Sequence, residues 1–364
     1  MKNTTNKHNS EVRAEPATNP PYEAIYLGAD LHKQTIVVTR IIDGATPQPA
    51  QRFTWLDFWR FVEKQQPLAH KVYVVYEAGA FGFGPVRRLA QLGIQGYVIH
   101  PEKLDPRQRR VQTDKTDSRH LADKLQRYVR GNTKAMTVVY VPTETEEQAR
   151  LLARHRQHLC QQLRRVQARG RGLLLSQGVF MTTHWWLEAN WGRLPKLTPT
   201  FRAILEDLRQ SIAHYQAQLA VCEKQLVATA PKTLPVGFGA RTFVLLLAEL
   251  CNYQRFPSRR QVAGFTGLCG GVSSSGPYHV DLSINKAGSP RIRGLLIELA
   301  WRMIYYQPKY QGLRTWQRLG AGAAGARRRK IALVALARQL MVDIWRWQTG
   351  RVTAQELGWE MLAP

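Results

Sequence analysis

The first third of the chain is written in short apolar runs that end on carboxylates, and this pattern restricts the fold more than any other feature. Ala24-Ile25-Tyr26-Leu27-Gly28-Ala29 stops at Asp30, and Val72-Tyr73-Val74-Val75-Tyr76 stops at Glu77. Short runs rich in β-branched and aromatic residues read as strands. The pattern predicts strands over 24–30, 35–42 and near 51–53, a helix over about 55–64, a strand over 71–76, a helix over 85–92 and a strand over 96–100.

Apolar strands that alternate with helices after an opening antiparallel hairpin imply a mixed sheet covered by helices, the α/β ribonuclease-H-like arrangement. Residues 1–21 are polar and end in prolines (Pro16, Pro20, Pro21), a disordered lead-in on composition. Pro142 and the shift to Glu144-Thr145-Glu146-Glu147 mark the end of the α/β domain, 22–143, and the start of a helix.

From 144 to 232 the chain reads as helical. Leu151, Leu152, His155, Leu159, Leu163 and Val166 lie along one side of a first helix; Leu205, Leu208, Ile212, Tyr215, Leu219, Cys222 and Leu226 recur at three- and four-residue steps in a second. Such a narrow stripe suits either an intramolecular helical hairpin or a dimerising coiled coil. A mostly α-helical third domain, 233–348, opens with Leu234-Pro235-Val236-Gly237-Phe238-Gly239. That loop has a helix-hairpin-helix form in which Gly237 and Gly239 would let backbone amides approach a phosphate. Residues 349–364 form a tail.

Carboxylates at strand ends, joined by a helix-borne pair, are how two-metal nucleases hold their ions. Asp30 and Glu77 supply the strand ends. Asp114 and Asp117, three residues apart in Asp114-Lys115-Thr116-Asp117-Ser118, share one helix face. Hard oxygen ligands of this kind suit Mg²⁺ or Mn²⁺ for phosphoryl displacement. Read singly, Asp30 is a turn residue, Glu77 caps a loop and Asp114 or Asp117 is an N-cap; their order and context favour the metal site. His120 keeps the three-residue spacing from Asp117 and forms a second, poorer register.

Charge agrees with a polyanionic partner: 52 Lys plus Arg against 26 Asp plus Glu give a net charge of +26, spread through the chain. Arg107, Arg109, Arg110 and Lys115 surround the acidic pair, and Lys286, Arg291 and Arg293 follow a Ser/Gly loop at 273–276, which places phosphate positioning at both segments. No residue set points to base-specific reading. Cys160, Cys222, Cys251 and Cys269 lack Cys-x-x-Cys spacing and read as reduced thiols. A polar start without an apolar segment, and no membrane-length apolar run, predict a cytoplasmic, nucleoid-associated protein without a membrane partner.

In Tyr26-Leu27-Gly28-Ala29-Asp30, Glu77-Ala78-Gly79, Thr113-Asp114-Lys115-Thr116-Asp117, Gly264-Phe265-Thr266-Gly267-Leu268, Ser275-Gly276 and Lys286-Ala287-Gly288, the chain resembles the DEDD transposases of bacterial insertion sequences, the IS-one-ten family. The resemblance runs over about residues 24–348. It implies a resolvase-like N-terminal domain, a coiled-coil middle and a C-terminal transposase domain with a nucleophilic serine. By that match Asp30, Glu77, Asp114 and Asp117 take the metal positions and Ser275 the nucleophile, with Ser273 and Ser274 as rivals. Ser118 departs from the family's usual Ala. A serine in one domain and metal ligands in another would have to meet in a composite site, and a phosphoserine link would allow rejoining without ATP.

The reading is a metal-dependent serine recombinase that transposes an insertion element. Its partners would be DNA and, as the resemblance implies, a structured guide RNA, with the protein a homodimer or homotetramer. The alternatives are a site-specific DNA invertase of the same family and a junction-resolving nuclease that hydrolyses with water; a non-catalytic nucleic-acid-binding protein is the rival outside enzymes.

Overall fold

The computed structural model describes residues 19–101, 113–180, 184–276, 278–321 and 325–362. The chain divides into two compact units, 1–141 and 142–364.

The first unit contains β1 (Tyr22–Leu31), β2 (Thr35–Ile42), β3 (Gln51–Thr54), α1 (Trp55–Glu63), β4 (Ala69–Glu77), α2 (Gly84–Gln91), β5 (Gln95–Ile99) and α3 (Asp114–Val129). These form one sheet in the order β3-β2-β1-β4-β5. β2 is antiparallel to both neighbours, while β1, β4 and β5 run parallel. Helices cover both faces, so β1 and β4 are apolar along nearly their whole length instead of alternating. Ile25, Leu27, Val74 and Tyr76 pack with Trp59, Val62 and Leu89 on one face. Tyr26, Tyr73 and Val75 pack with Leu121, Ala122 and Leu125 of α3 on the other. Each fully buried side chain of this size contributes about 1.5–3 kcal/mol.

The docking of α3 depends on Gly28. A Cβ there would lie 2.2 Å from the Ser118 carbonyl oxygen and 2.3 Å from the Ala122 nitrogen, so only glycine admits the helix this close to β1. Ser118 is fully buried at that contact, and its Oγ shares a 2.9 Å hydrogen bond with Thr39 Oγ1 on β2. Ser118 therefore ties α3 to the sheet. The Thr113 side chain caps α3 by accepting from the Thr116 N–H.

The second unit contains α4 (Glu144–Ser176), α5 (Glu188–Trp191), α6 (Pro199–Val227), α7 (Ala240–Leu250), α8 (Arg259–Thr266), β6 (Gly270–Ser275), β7 (Tyr278–Ile284), α9 (Pro290–Tyr306), α10 (Leu313–Trp316) and α11 (Ala326–Gln348). A capping box between Thr143 and Glu146 starts α4. α4 and α6 form an antiparallel hairpin: Arg156 pairs with Glu223 toward one end, and Leu174 packs with Leu205 and Leu208 toward the other. The stripe on α6 is thus covered within the chain, the hairpin of the two arrangements its spacing allows. Leu151 and His155, expected on the packed side of α4, are exposed. The apolar face runs through Leu152, Leu159, Leu163 and Val166, and Leu151 is one position out of that register.

α4 and α6 share a core with α7, α9 and α11. The segment read as a tail closes this core: Leu357 and Trp359 are buried, and the Glu360 carbonyl accepts from Val236 N–H and from Gln307 Nε2. β1 starts at Tyr22; the lead-in up to residue 18 lies outside the described residues. All four cysteines are free. No described helix is long and apolar enough to cross a membrane.

Candidate functional site

β1 and β4 are adjacent and parallel, with Gly28 opposite Val75. Two residues further, on the same face by strand alternation, come Asp30 and Glu77. That is the face on which α3 lies, and α3 begins with Asp114 and Asp117 in its first turn. All four carboxylates therefore belong to the same face of the first unit, where Gly28 allows α3 to approach. The positive end of the helix also favours negative charge on Asp114 and Asp117.

The tightest group is Asp30, His32 and Asp114, whose ligand atoms all lie within 4.8 Å of one another. His32 Nε2 is 3.0 Å from Asp30 Oδ2 and 3.5 Å from Asp114 Oδ1. Arg52 on β3 donates to the other oxygen, Asp114 Oδ2, at 2.9 Å. Burial raises the Asp30 carboxyl above its ordinary value; His32 pulls it down, and the charges of Asp117 and Asp114 push it up further. Carboxylates gathered around one imidazole are a place where positive charge is stabilised. Two or more oxygens with a nitrogen fit a divalent cation.

His32 was not among the sequence candidates. Its signal was the i,i+2 step from Asp30, but it follows the end of β1, and only the turn into β2 brings its ring back over the carboxylate. Glu77 and Asp117 stand outside the three-residue cluster, Asp117 one helical turn from Asp114. His120 is exposed and also outside it.

Ser275 ends β6 in an antiparallel ribbon with β7, paired with Tyr278 across a turn where Gly276 has φ 57°. The ribbon is exposed along most of its length. Alternation puts Ser273, Ser275, Tyr278 and Val280 on one face; Ser274 faces the other way, opposite His279, whose Nε2 is 3.8 Å from Asp281 Oδ1. The root of the ribbon is clamped. Lys286 N–H donates to the Gly267 carbonyl and Ser289 N–H to that of Phe265. A Cβ on Gly288 would lie 2.2 Å from the Phe265 carbonyl oxygen. The segments 264–268 and 286–288 thus meet at the base of the element that carries Ser275.

Arg293 lies in this clamp: its Nη1 donates to the carbonyls of Thr266, Lys286 and Gly288 at 3.3, 3.2 and 2.9 Å. Lys286 is exposed with φ 55°. Arg291 bonds Gln157 and lies 3.6 Å from Glu249. Lys115 is exposed beside Asp114. Gly237 and Gly239 have φ 89° and 69°, and the close approach they allow here is to α9, since a Cβ on Gly237 would lie 2.9 Å from Tyr306 Cβ. Arg107, Arg109 and Arg110 lie outside the described residues.

Residues 232–313 match the family described as the IS116/IS110/IS902 family of transposases. The chain is 28% identical over 391 residues to the putative transposase y4rJ of Sinorhizobium fredii, covering 95% of this chain and 97% of that protein. It is 30% identical over 259 residues to the putative transposase y4qE of the same organism, covering 68% and 62%. Over 303 residues it is 24% identical to the transposase for insertion sequence element IS1533 of Leptospira borgpetersenii, covering 76% and 85%.

Proposed function

The chain belongs to the IS116/IS110/IS902 transposase family, and from that premise we propose that it is a metal-dependent transposase that cuts and rejoins DNA through Ser275. The observation that carries the reading is the Asp30, His32 and Asp114 cluster beside Glu77 and Asp117. We read the sheet order and its carboxylate edge as ribonuclease-H-like, with α4 and α6 as the helical middle and the residues after 233 as the transposase domain.

Asp30, Asp114, Asp117 and Glu77 would hold Mg²⁺ or Mn²⁺, with His32 as a nitrogen ligand or a partner of Asp30. A bound divalent cation supplies charge stabilisation to the scissile phosphate during in-line displacement. Ser275 Oγ attacks phosphorus; a Ser–O–P bond forms, the bond to the leaving sugar oxygen breaks, the hydroxyl proton is lost to solvent and the departing oxygen takes one up. The phosphodiester energy is kept in the phosphoserine, so a sugar hydroxyl of another strand can reverse the step without ATP.

Among the described residues, the companions of Ser275 on its face of the ribbon are Ser273, Tyr278 and Val280, none of which carries a carboxylate or an imidazole. Ser275 would be activated in a composite site with the carboxylates, and a homodimer or homotetramer can build such a site between copies. Sequence choice would be delegated to a structured guide RNA, for which the net charge of +26 is suited. The test is cleavage of element-end DNA by Asp30→Asn, Glu77→Gln and Ser275→Ala proteins. Loss in all three, with DNA binding kept, supports the proposal. Full cleavage by Ser275→Ala with loss in the carboxylate variants would replace it with hydrolysis by water, as in a junction-resolving nuclease.

A further inference from the structure

Arg150, Arg154, Gln157, Gln161, Arg164, Ala168 and Arg171 recur along α4 at alternating four- and three-residue steps. They form one stripe, away from the Leu152, Leu159, Leu163 and Val166 face that packs on the core. The stripe is about 30 Å long at the helical rise. Its N-terminal part is engaged: Arg154 makes paired hydrogen bonds to the buried Glu249 of α7. Further along, Gln157 bonds Arg291, and Arg164 and Arg171 are solvent-exposed. Three adjoining cavities of about 380, 280 and 450 Å³ lie on this face, and Arg164 borders all of them.

The cavities differ in chemistry along the helix. The first two are lined by charged residues, Arg156, Arg241 and Arg291 together with Glu249 and Glu298; Arg156 and Arg241 both pair with Glu223 of α6, and Arg291 lies beside Glu249. The third lies between Arg164, Arg171, His184, Trp185 and Trp186. Trp185 is buried and fixed, its Nε1 donating to the Gln167 carbonyl at 3.0 Å. His184 is exposed and held with φ 55°. Its carbonyl accepts from Leu187 N–H and Asn190 Nδ2, each at 3.0 Å. Its ring meets that of Trp186 edge to face at 5.3 Å between centroids. A non-glycine residue fixed in the left-handed region, presenting a ring beside arginines, is a preorganised stacking position.

We infer that this face of α4 carries an unpaired strand of nucleic acid, its phosphates along Arg291, Arg164 and Arg171 and one base stacked on the exposed His184 ring beside Trp186. An arginine-lined groove that tracks a backbone and ends in aromatic rings is the chemistry of single-strand binding, because only an unstacked base offers its face to a ring. The inference rests on the reading that this protein acts on nucleic acid. Its aromatic end, at His184 and Trp186, is remote in sequence from Asp30 and Ser275. A displaced DNA strand and a loop of RNA share the chemistry.

The test is fluorescence anisotropy with the full chain, in chelator so that no strand is cut. The probes are a short labelled single strand as DNA and as RNA, the blunt duplex, and the same strands with abasic sites. His184→Ala should weaken single-strand binding by about 5- to 150-fold and leave the duplex unchanged. Abasic strands should lose a similar factor with the native protein, and His184→Ala should then add little. Arg164→Gln should lower the salt slope by about 0.7, and Glu298→Gln should tighten binding. The tighter of the RNA and DNA strands identifies the source. Equal binding of abasic and intact strands by the native protein overturns the inference whether or not any variant folds, and leaves the proposed cleavage intact. Failure of every probe to bind would remove both.

Discussion

Asp30 sits where burial disfavours its charge and His32 offsets this only in part, which makes this pair the most sensitive point of the site. Asp30→Asn and Asp114→Asn should each abolish Mg²⁺-dependent cleavage, because each removes a hard oxygen from a small donor set. His32→Ala should weaken metal affinity by about 10- to 100-fold, and His120→Ala should be nearly silent; metal titration of cleavage separates them, and the reverse order would move the histidine of the site to α3. Asp30 and Asp114, which meet in the cluster, could be picked out in the sequence because a strand end and a helix start are local properties. His32 was not, since its role depends on a turn that returns the chain over Asp30. Arg52, which bonds Asp114 across 62 positions, had no local signal at all.

At the scale of elements, the α3–β1 contact positions the acidic pair, and it has no room for a side chain at residue 28. Gly28→Ala should cost about 1–3 kcal/mol and reduce cleavage further than stability alone explains, since α3 must retreat from Asp30; thermal melting beside cleavage rates checks this. Gly288→Ala should instead loosen the ribbon root and impair strand exchange while metal binding by the first unit persists. In the second unit, burial foremost, with Asp343 beside it, holds the Tyr310 phenol well above its ordinary value. The stabilisation is complete below the unfolded value of about 10 and is lost as pH rises beyond it. Tyr310→Phe should cost about 1 kcal/mol at neutral pH yet show a shallower alkaline fall in denaturant melts. The strands and helices of the first unit were readable to within a residue or two, because each is a short apolar or amphipathic run bounded by polar or turn residues. The stripe on α6 was ambiguous, because a heptad pattern fits a partner in the same chain or in another. The packed tail was missed because Leu357 and Trp359 are isolated apolar residues in a short segment without periodicity.

For the whole molecule, a charge of +26 implies that binding to DNA or RNA displaces many counterions. The log–log dependence of affinity on salt should have a slope of several units; a flat response between low and physiological salt would assign the charge to something else. The two units carry different halves of the proposed chemistry, carboxylates in one and serine in the other, so the account depends on their acting on one phosphate. The most direct measurement is to trap the covalent intermediate: incubate the full chain with element-end DNA and Mg²⁺, digest the adduct and map the modified peptide by mass spectrometry. The account predicts a nucleotide attached at Ser275, absent when Asp30→Asn protein is used. Cleaved DNA with no adduct, or an adduct on Ser273 or Ser274, would contradict it.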